Sequence, residues 1–448
     1  MIIRLHSKNL TRAFTRPVLV SIFLLTNAFV WYSYAIIILQ KSVDSISLSL
    51  GFMSNMLIWG IHFAALIGSA LIGVYLTRIL GGRKRFLAIW ILIGTFASLT
   101  PFALGTTDIW GVIALGWIFG FSFGFGMPNC MGYFNIQTQI ENRGKYGGFV
   151  ILSTGILTVG LDLLGISGGL FELTITLAVW RAIALVAVAF SKPTMKIENT
   201  KSAPSYRTVI SRKPFILYFV PWVMFALLNY LTTPVGQNVL SPSVLSDLQL
   251  LGNVFMGAFA LVGGVFMDLV GRKRLAIVGF VMLGLSYSIL GFANDTPAWY
   301  VHNVMNGISW GILYVLFVVT IWGDLSYAVP SDKLYALGVS PFFFSKFLQL
   351  TISAQIVAAI PISAIFSFTA LFLFLAVLPL IYAPETLPEK IMKDRQLKTY
   401  LEKAQKIASK AQKKEKREKE KEAEEAESEF QVKQEDLEEA EELVEEYY

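Results

Sequence analysis

Twelve apolar runs, each close to the length of a membrane crossing, constrain this chain more than any other feature. A helix through the hydrocarbon core of a bilayer needs ~20 apolar residues. The runs lie at roughly 17–39, 47–76, 86–104, 107–131, 147–170 and 173–191, then at 215–233, 248–267, 275–293, 298–323, 342–360 and 362–383. The expected fold is therefore an all-α polytopic membrane protein with twelve transmembrane helices in two six-helix halves. A membrane barrel would need ~10-residue alternating segments, and the sequence has none. The first run exceeds a signal-peptide core and no small-residue cleavage site follows it, so it is expected to remain in place. Composition agrees: of 448 residues, 55% are hydrophobic and only 15% charged, where a soluble domain carries about 25% charge. That excludes a disordered chain and an ordinary soluble enzyme. Cys130 is the single cysteine, which excludes a disulfide framework and a cysteine-based zinc site, and His6, His62 and His302 are the only histidines. No cofactor or metal is expected.

The basic residues set the orientation. The N-terminus carries Arg4, Lys8, Arg12 and Arg16. The loop after the second run carries Arg78, Arg83, Lys84 and Arg85, and the loop after the fourth carries Arg143 and Lys145. Six bases fall in 192–214, three (Arg272, Lys273, Arg274) follow the eighth run, and Lys333, with Lys346 just beyond it, follows the tenth. All fall on one side of a twelve-span arrangement. The opposite loops hold Lys41 and the acids Asp44, Asp108, Glu172, Asp247 and Asp295. The positive side is the cytoplasmic one, so both termini are expected inside the cell membrane. Spread over short loops, this charge indicates topology rather than a nucleic-acid partner. The organisation expected is a cytoplasmic N-terminus (1–16), a first half (17–191), a Pro-containing linker (192–214), a second half (215–383) and a charged cytoplasmic tail (384–448).

One motif occurs twice. After the eighth run the chain reads Gly264-Val-Phe-Met-Asp268-Leu-Val-Gly271-Arg272-Lys273-Arg274; after the second it reads Gly73-Val-Tyr-Leu-Thr77-Arg78-Ile-Leu-Gly81-Gly82-Arg83-Lys84-Arg85. Glycines permit a tight turn and close helix approach, and a carboxylate there can accept from a neighbouring helix N-terminus. The run resembles the signature loop of the major facilitator superfamily. Its first copy departs, with Thr77 in place of Asp and an extra residue before Gly82. Glu141-Asn-Arg143-Gly144 and Asp324, Pro330 and Lys333 resemble the family's other paired loops. Ala383-Pro384-Glu385-Thr386 resembles the end of the last helix in sugar porters. The glutamines of sugar porters are missing: Ile151 and the Phe215–Trp222 stretch stand in their places.

Polar residues in the runs point to the interior, because they are costly against lipid. Asn27, Asn55, His62, Asn229, Tyr230, Asn306, Trp310 and Gln355 are candidates for a substrate pathway. The third, sixth, ninth and twelfth runs lack Asn, Gln, His, Asp and Glu in their central portions, as lipid-facing helices would. The sixth instead holds Arg181, and the fifth holds Asp162 at a similar depth, so a contact between them is expected. Asp162, Arg181 and His62 are the candidates for coupling to protons.

The resemblance implies a secondary transporter of a small polar organic solute, a sugar or another metabolite, worked by alternating access and coupled to protons. Gly73, Arg83, Lys84, Arg143, Gly264, Asp268, Gly271, Arg272, Lys273 and Asp324 would form the loops that switch it. Two other readings remain open: a drug or metabolite exporter, and a membrane sensor signalling through its tail. That tail has strong helix composition. It is basic over 403–421 and acidic over 422–446, which suits a solvated helix or a contact of 395–448 with a protein or the inner leaflet. No motif of an enzyme is present.

Overall fold

The computed structural model describes residues 14–46, 51–79, 82–104, 108–161, 169–191, 204–228, 230, 232–326 and 330–388, with short stretches of the tail, chiefly 407–414. Among them the fold is all-helical. The first six helices are α1 (Arg16–Ile46), α2 (Phe52–Ile79), α3 (Arg83–Ala103), α4 (Ile109–Gln137), α5 (Arg143–Leu161) and α6 (Leu170–Phe190). The second six are α7 (Lys213–Leu228), α8 (Pro242–Val270), α9 (Arg272–Phe292), α10 (Thr296–Asp324), α11 (Ser331–Thr351 continued by Ser353–Ala359) and α12 (Ile362–Tyr382).

Ten of these are long and apolar enough to cross a membrane, and eleven if the two parts of α11, bent by 60°, count as one span. The described residues fall short of the expected twelve spans at the seventh run. There α7 has 16 residues and a separate helix, Thr232–Val239, follows.

The packing repeats when every helix number is raised by six. Contacts of α2 with α4, α3 with α4 and with α6, and α1 with α5 and with α6 return as α8 with α10, α9 with α10 and with α12, and α7 with α11 and with α12. The signature loops repeat too. Gly82 and Gly271 both precede a helix, with φ of 120° and 112° and ψ of 158° and 155°. Only glycine adopts such a backbone at little cost. Gly82 is thus the counterpart of Gly271. Four residues separate it from Thr77, and two separate Gly271 from Asp268, so the first copy carries two extra residues rather than one.

The two sets of six meet along α5 with α8 and along α2 with α11. Glycines record how closely. A Cβ on Gly144 would lie 2.5 Å from the Gly264 carbonyl oxygen, and one on Gly148 2.5 Å from that of Ala260. Further along α5, a Cβ on Gly155 or Gly160 would meet nothing within 4 Å. Helices α5 and α8 therefore touch at the end carrying the basic loops and part toward the other. In α10 the residues Val315–Thr320 form a π-helical turn, which brings Trp222 and Phe317 into a stack with ring centroids 5.0 Å apart.

The chain divides into two compact units after Leu387, a little beyond the expected start of the tail at 384. Pro384 to Leu387 stay with the bundle because Tyr218 donates to the Pro384 carbonyl, Glu385 accepts from α9, and Leu387 is buried. In the tail, residues 407–414 are helical and exposed.

Candidate functional site

The basic loops converge into one network at the end where the halves touch. At its centre is Asp324, the last residue of α10, whose side chain is fully buried. Arg272 donates to it through Nε at 2.9 Å, Arg143 pairs with its other oxygen, and the Thr386 hydroxyl donates at 3.3 Å. Arg143 belongs to the first six helices and Arg272 to the second, so one carboxylate ties both. Asp268 does the same by another route. Its oxygens accept from the Gly144 and Lys145 backbone N–H groups at 2.9 and 2.7 Å, at the N-terminus of α5, and from Arg272 at 2.7 Å. A carboxylate is well placed there, because the first N–H groups of a helix have no partner within it. Arg272 finally donates to the Ile140 carbonyl at 2.6 Å.

The other seam, α2 against α11, carries fewer charges. Arg83 forms a bidentate pair with Asp332 at 2.9 and 2.8 Å and donates to the Asn129 carbonyl. Where the family pattern has Asp, Thr77 donates to Asn129 at 2.6 Å, and Asn129 donates to the Gly73 carbonyl. A Cβ on Gly73 would lie 1.9 Å from the Phe125 carbonyl oxygen, so this glycine sets how closely α2 meets α4. Lys84 and Lys273 do not cross between halves. Lys84 donates to the Ala189 and Ser191 carbonyls at the end of α6, and Lys273 to that of Ile381 near the end of α12. Lys333 donates to the Pro204 carbonyl and lies over the rings of Tyr75 and Tyr206. The Tyr206 hydroxyl donates to the Leu71 carbonyl, and burial beside Tyr75 and Asp332 pushes its phenol pKa up. Exchanging the charges of Arg83 and Asp332 tests this seam. Either single reversal should lower the melting temperature of the purified protein, and the double variant R83D/D332R should recover most of that loss. A double variant no better than the singles would show that the pair holds nothing together.

Inside the bundle the expected pathway residues separate into three groups. Asn27 is fully engaged within the first six helices. It donates to the Trp180 carbonyl at 2.7 Å and accepts from Arg181 at 2.9 Å. Arg181 lies 4.1 Å from the Trp90 ring centroid and 5.5 Å from that of Trp31, and Gly94 leaves the room it occupies. A desolvated guanidinium between indole faces is held by cation–π attraction. Its expected partner Asp162 lies outside the described residues, as does Asn229. His62 is buried, with Nδ1 2.9 Å from the Gly116 carbonyl and Nε2 3.1 Å from the Tyr32 hydroxyl. That suits a neutral ring donating to the one and accepting from the other.

The second group faces the seam between halves. Tyr32 packs edge-on against Phe343 of α11 at 5.9 Å. Asn55 donates to the Leu350 carbonyl of α11. Tyr230 and Trp310 lie 6.1 Å apart, and the buried amide oxygen of Asn306 has no hydrogen-bond partner among the described residues. Gln355 forms the third group alone. It is exposed, and its amide turns back onto its own helix, donating to the Thr351 and Ile352 carbonyls.

Three groups escaped the sequence reading. Glu385 accepts from the Arg272 and Lys273 N–H groups at 2.8 and 3.1 Å, capping α9, and fills the space beside Gly271. Asp332 is the partner of Arg83; the sequence shows it in the tenth loop without assigning it a role. Lys346, expected beside that loop, lies about four turns into α11, donating to Gln349 at 2.5 Å and 5.6 Å from the Tyr230 ring.

No family model and no curated protein matches the chain. Among solved structures it is similar to the human organic anion transporter MFSD10 (TETRAN), with a TM-score of 0.64 over 82% of this chain and 99% of that one, at 13% identity.

Proposed function

We propose that this multi-pass membrane protein, whose fold is that of the major facilitator superfamily, is a secondary transporter of a small organic solute working by alternating access. The observation that carries the proposal is the network joining the two sets of six helices at one end only, while α5 and α8 part toward the other. In this reading the basic end is cytoplasmic, so the charged network closes the cytoplasmic side, while at the outer end α5 and α8 part and α2 stays on α11 through Asn55 and the Leu350 carbonyl. Rocking the halves the other way requires Asp268 to release the α5 N-terminus and Asp324 to release Arg143. Substrate binding would favour that state by its differential affinity. The organic anions named for the similar human protein fall within the solute class proposed. Proton coupling is assigned to Asp162, a carboxylate inside an apolar run; both ring nitrogens of His62 are already engaged.

The test is flux in proteoliposomes reporting internal pH, with a panel of sugars, carboxylates, amino acids and organic cations. A solute-dependent pH change establishes coupled transport, and its loss in Asp162→Asn locates the coupling. Asp268→Asn should fold and still bind solute but turn over at least ~10-fold more slowly, since a neutral amide holds the α5 N-terminus and Arg272 more weakly than a carboxylate. Normal turnover in that variant would separate the network from transport.

A further inference from the structure

A cavity of ≈ 460 Å³ lies between α7, α11 and α12. Its walls are almost entirely apolar, from Leu227 and Leu228 on α7 to Ile365 and Phe368 on α12. Ile360 and Phe368, which also line it, are 44% and 53% exposed, so it reaches the lipid-facing surface of the bundle. The polar groups among its lining residues are Tyr230, Ser345, Gln349 and Ser353, three of them spaced four apart along α11. The buried Ser345 hydroxyl has no hydrogen-bond partner among the described residues.

Lys346 stands beside these polar groups. The two contacts of its ammonium group are both to residues of the cavity wall: the Gln349 amide oxygen at 2.5 Å and the Tyr230 ring at 5.6 Å. Fifteen residues into a helix, it lies about 22 Å from the start of α11, well within a hydrocarbon core of ~30 Å. Lys346 takes no part in the ion pairs of the bundle, Arg83 with Asp332, Arg143 with Asp324, and Arg272 with Asp268 and Asp324. A cation at such depth is expensive unless it has a counter-charge or serves a ligand. A pocket of a few hundred cubic ångströms with apolar walls and a few convergent polar groups is the usual form of a small-molecule site.

We propose that this cavity binds an amphipathic organic monoanion, with its carboxylate or sulfonate head on Lys346 and Ser345 and its apolar body between α11 and α12. The inference rests on the transport reading only for its purpose; the site stands or falls by binding alone. Both a free solute and an anionic lipid share this chemistry, and the lateral opening admits either.

The experiment is equilibrium binding of labelled octanoate to the full chain in phosphatidylcholine nanodiscs, with empty discs subtracted. Octan-1-ol and octylammonium serve as neutral and cationic competitors of equal length. The wild type should bind octanoate, with both competitors at least ~10-fold weaker. Lys346→Gln should lose about tenfold or more, the size expected for one charge-assisted contact. Lys346→Arg should keep the anion preference. Ala364→Phe, which fills the cavity without touching the charge, should weaken octanoate and octan-1-ol together. Equal octanoate affinity in Lys346→Gln, or equal competition by octylammonium, overturns the proposal. Adding phosphatidylglycerol to the discs separates the sources: displacement of octanoate identifies a lipid occupant, and no displacement a free solute. Lys346-dependent binding in a chain that moves no solute would keep this site and sink the transport reading. Transport without such binding would do the reverse.

Discussion

Replacing Asp324 by asparagine is expected to destabilise the purified protein by about 3–5 kcal/mol, the cost of removing one partner from a buried ion pair. Asp324 has no exposed side-chain surface and neutralises two arginines at once. Asparagine is nearly the same size, so the loss is one of charge and not of packing. Arg272 keeps Asp268 as a counter-ion, whereas Arg143 keeps only carbonyl and hydroxyl oxygens, those of Asn135 and Thr138. The variant should therefore melt well below the wild type and lose the closed basic end first. The slightly more exposed Arg83–Asp332 pair, with side-chain exposures of 12% and 7%, supplies the comparison: Asp332→Asn should cost less. Equal melting of Asp324→Asn and the wild type would mean that water reaches these arginines.

The second large effect is conformational. Gly264→Val should hold the chain in the state open at the basic end. A Cβ there would lie 2.3 Å from the Gly144 carbonyl oxygen. The obstacle is backbone on the facing helix, so no rotamer relieves it. The clash exists only while α5 and α8 are together, so it penalises one state and spares the other. An energy difference of about 3 kcal/mol already moves a balanced equilibrium beyond 99:1. The readout is thiol labelling at Ala336→Cys, made in a Cys130→Ser background. Ala336 is 5% exposed on α11, beside Leu66 and Ala70 of α2 and Pro128 of α4. Labelling should be slow while Gly264 is kept and fast in the Gly264→Val variant. An unchanged rate would show that α5 and α8 do not part at this end.

The fold was legible because its determinants are local in the sequence. Apolar length fixes the helices, and the spacing of Arg and Lys fixes which ends lie together. Gly264, Asp268 and Arg272 stand within nine residues around one turn and act on one point, so their grouping was visible. Long-range partners were not. Nothing in the string joins Arg83 to Asp332 or α9 to Glu385, because an ion pair across halves leaves no periodicity. The two extra residues before Gly82 became countable only from the backbone angles of the two turns. Lys346 reads as topology because a lysine near a loop usually marks one; its helix continues past it, which composition alone could not show.

The π-helical turn at Val315–Thr320 has a mechanical consequence. A turn closed by i→i+5 bonds holds about one residue more than an α turn, so α10 carries a residue of slack above Asp324. The Thr320 hydroxyl and Trp322 indole reach back to the Val315 and Phe317 carbonyls and occupy that slack. If the turn were to relax to α geometry, everything beyond it would swing by about 100° around the helix axis. Asp324 would then rotate out from between Arg143 and Arg272. Such a screw-like step, wound into one helix, would undo the Asp324 part of the network without sliding helices past one another, leaving the Asp268 and Arg83–Asp332 contacts to part separately.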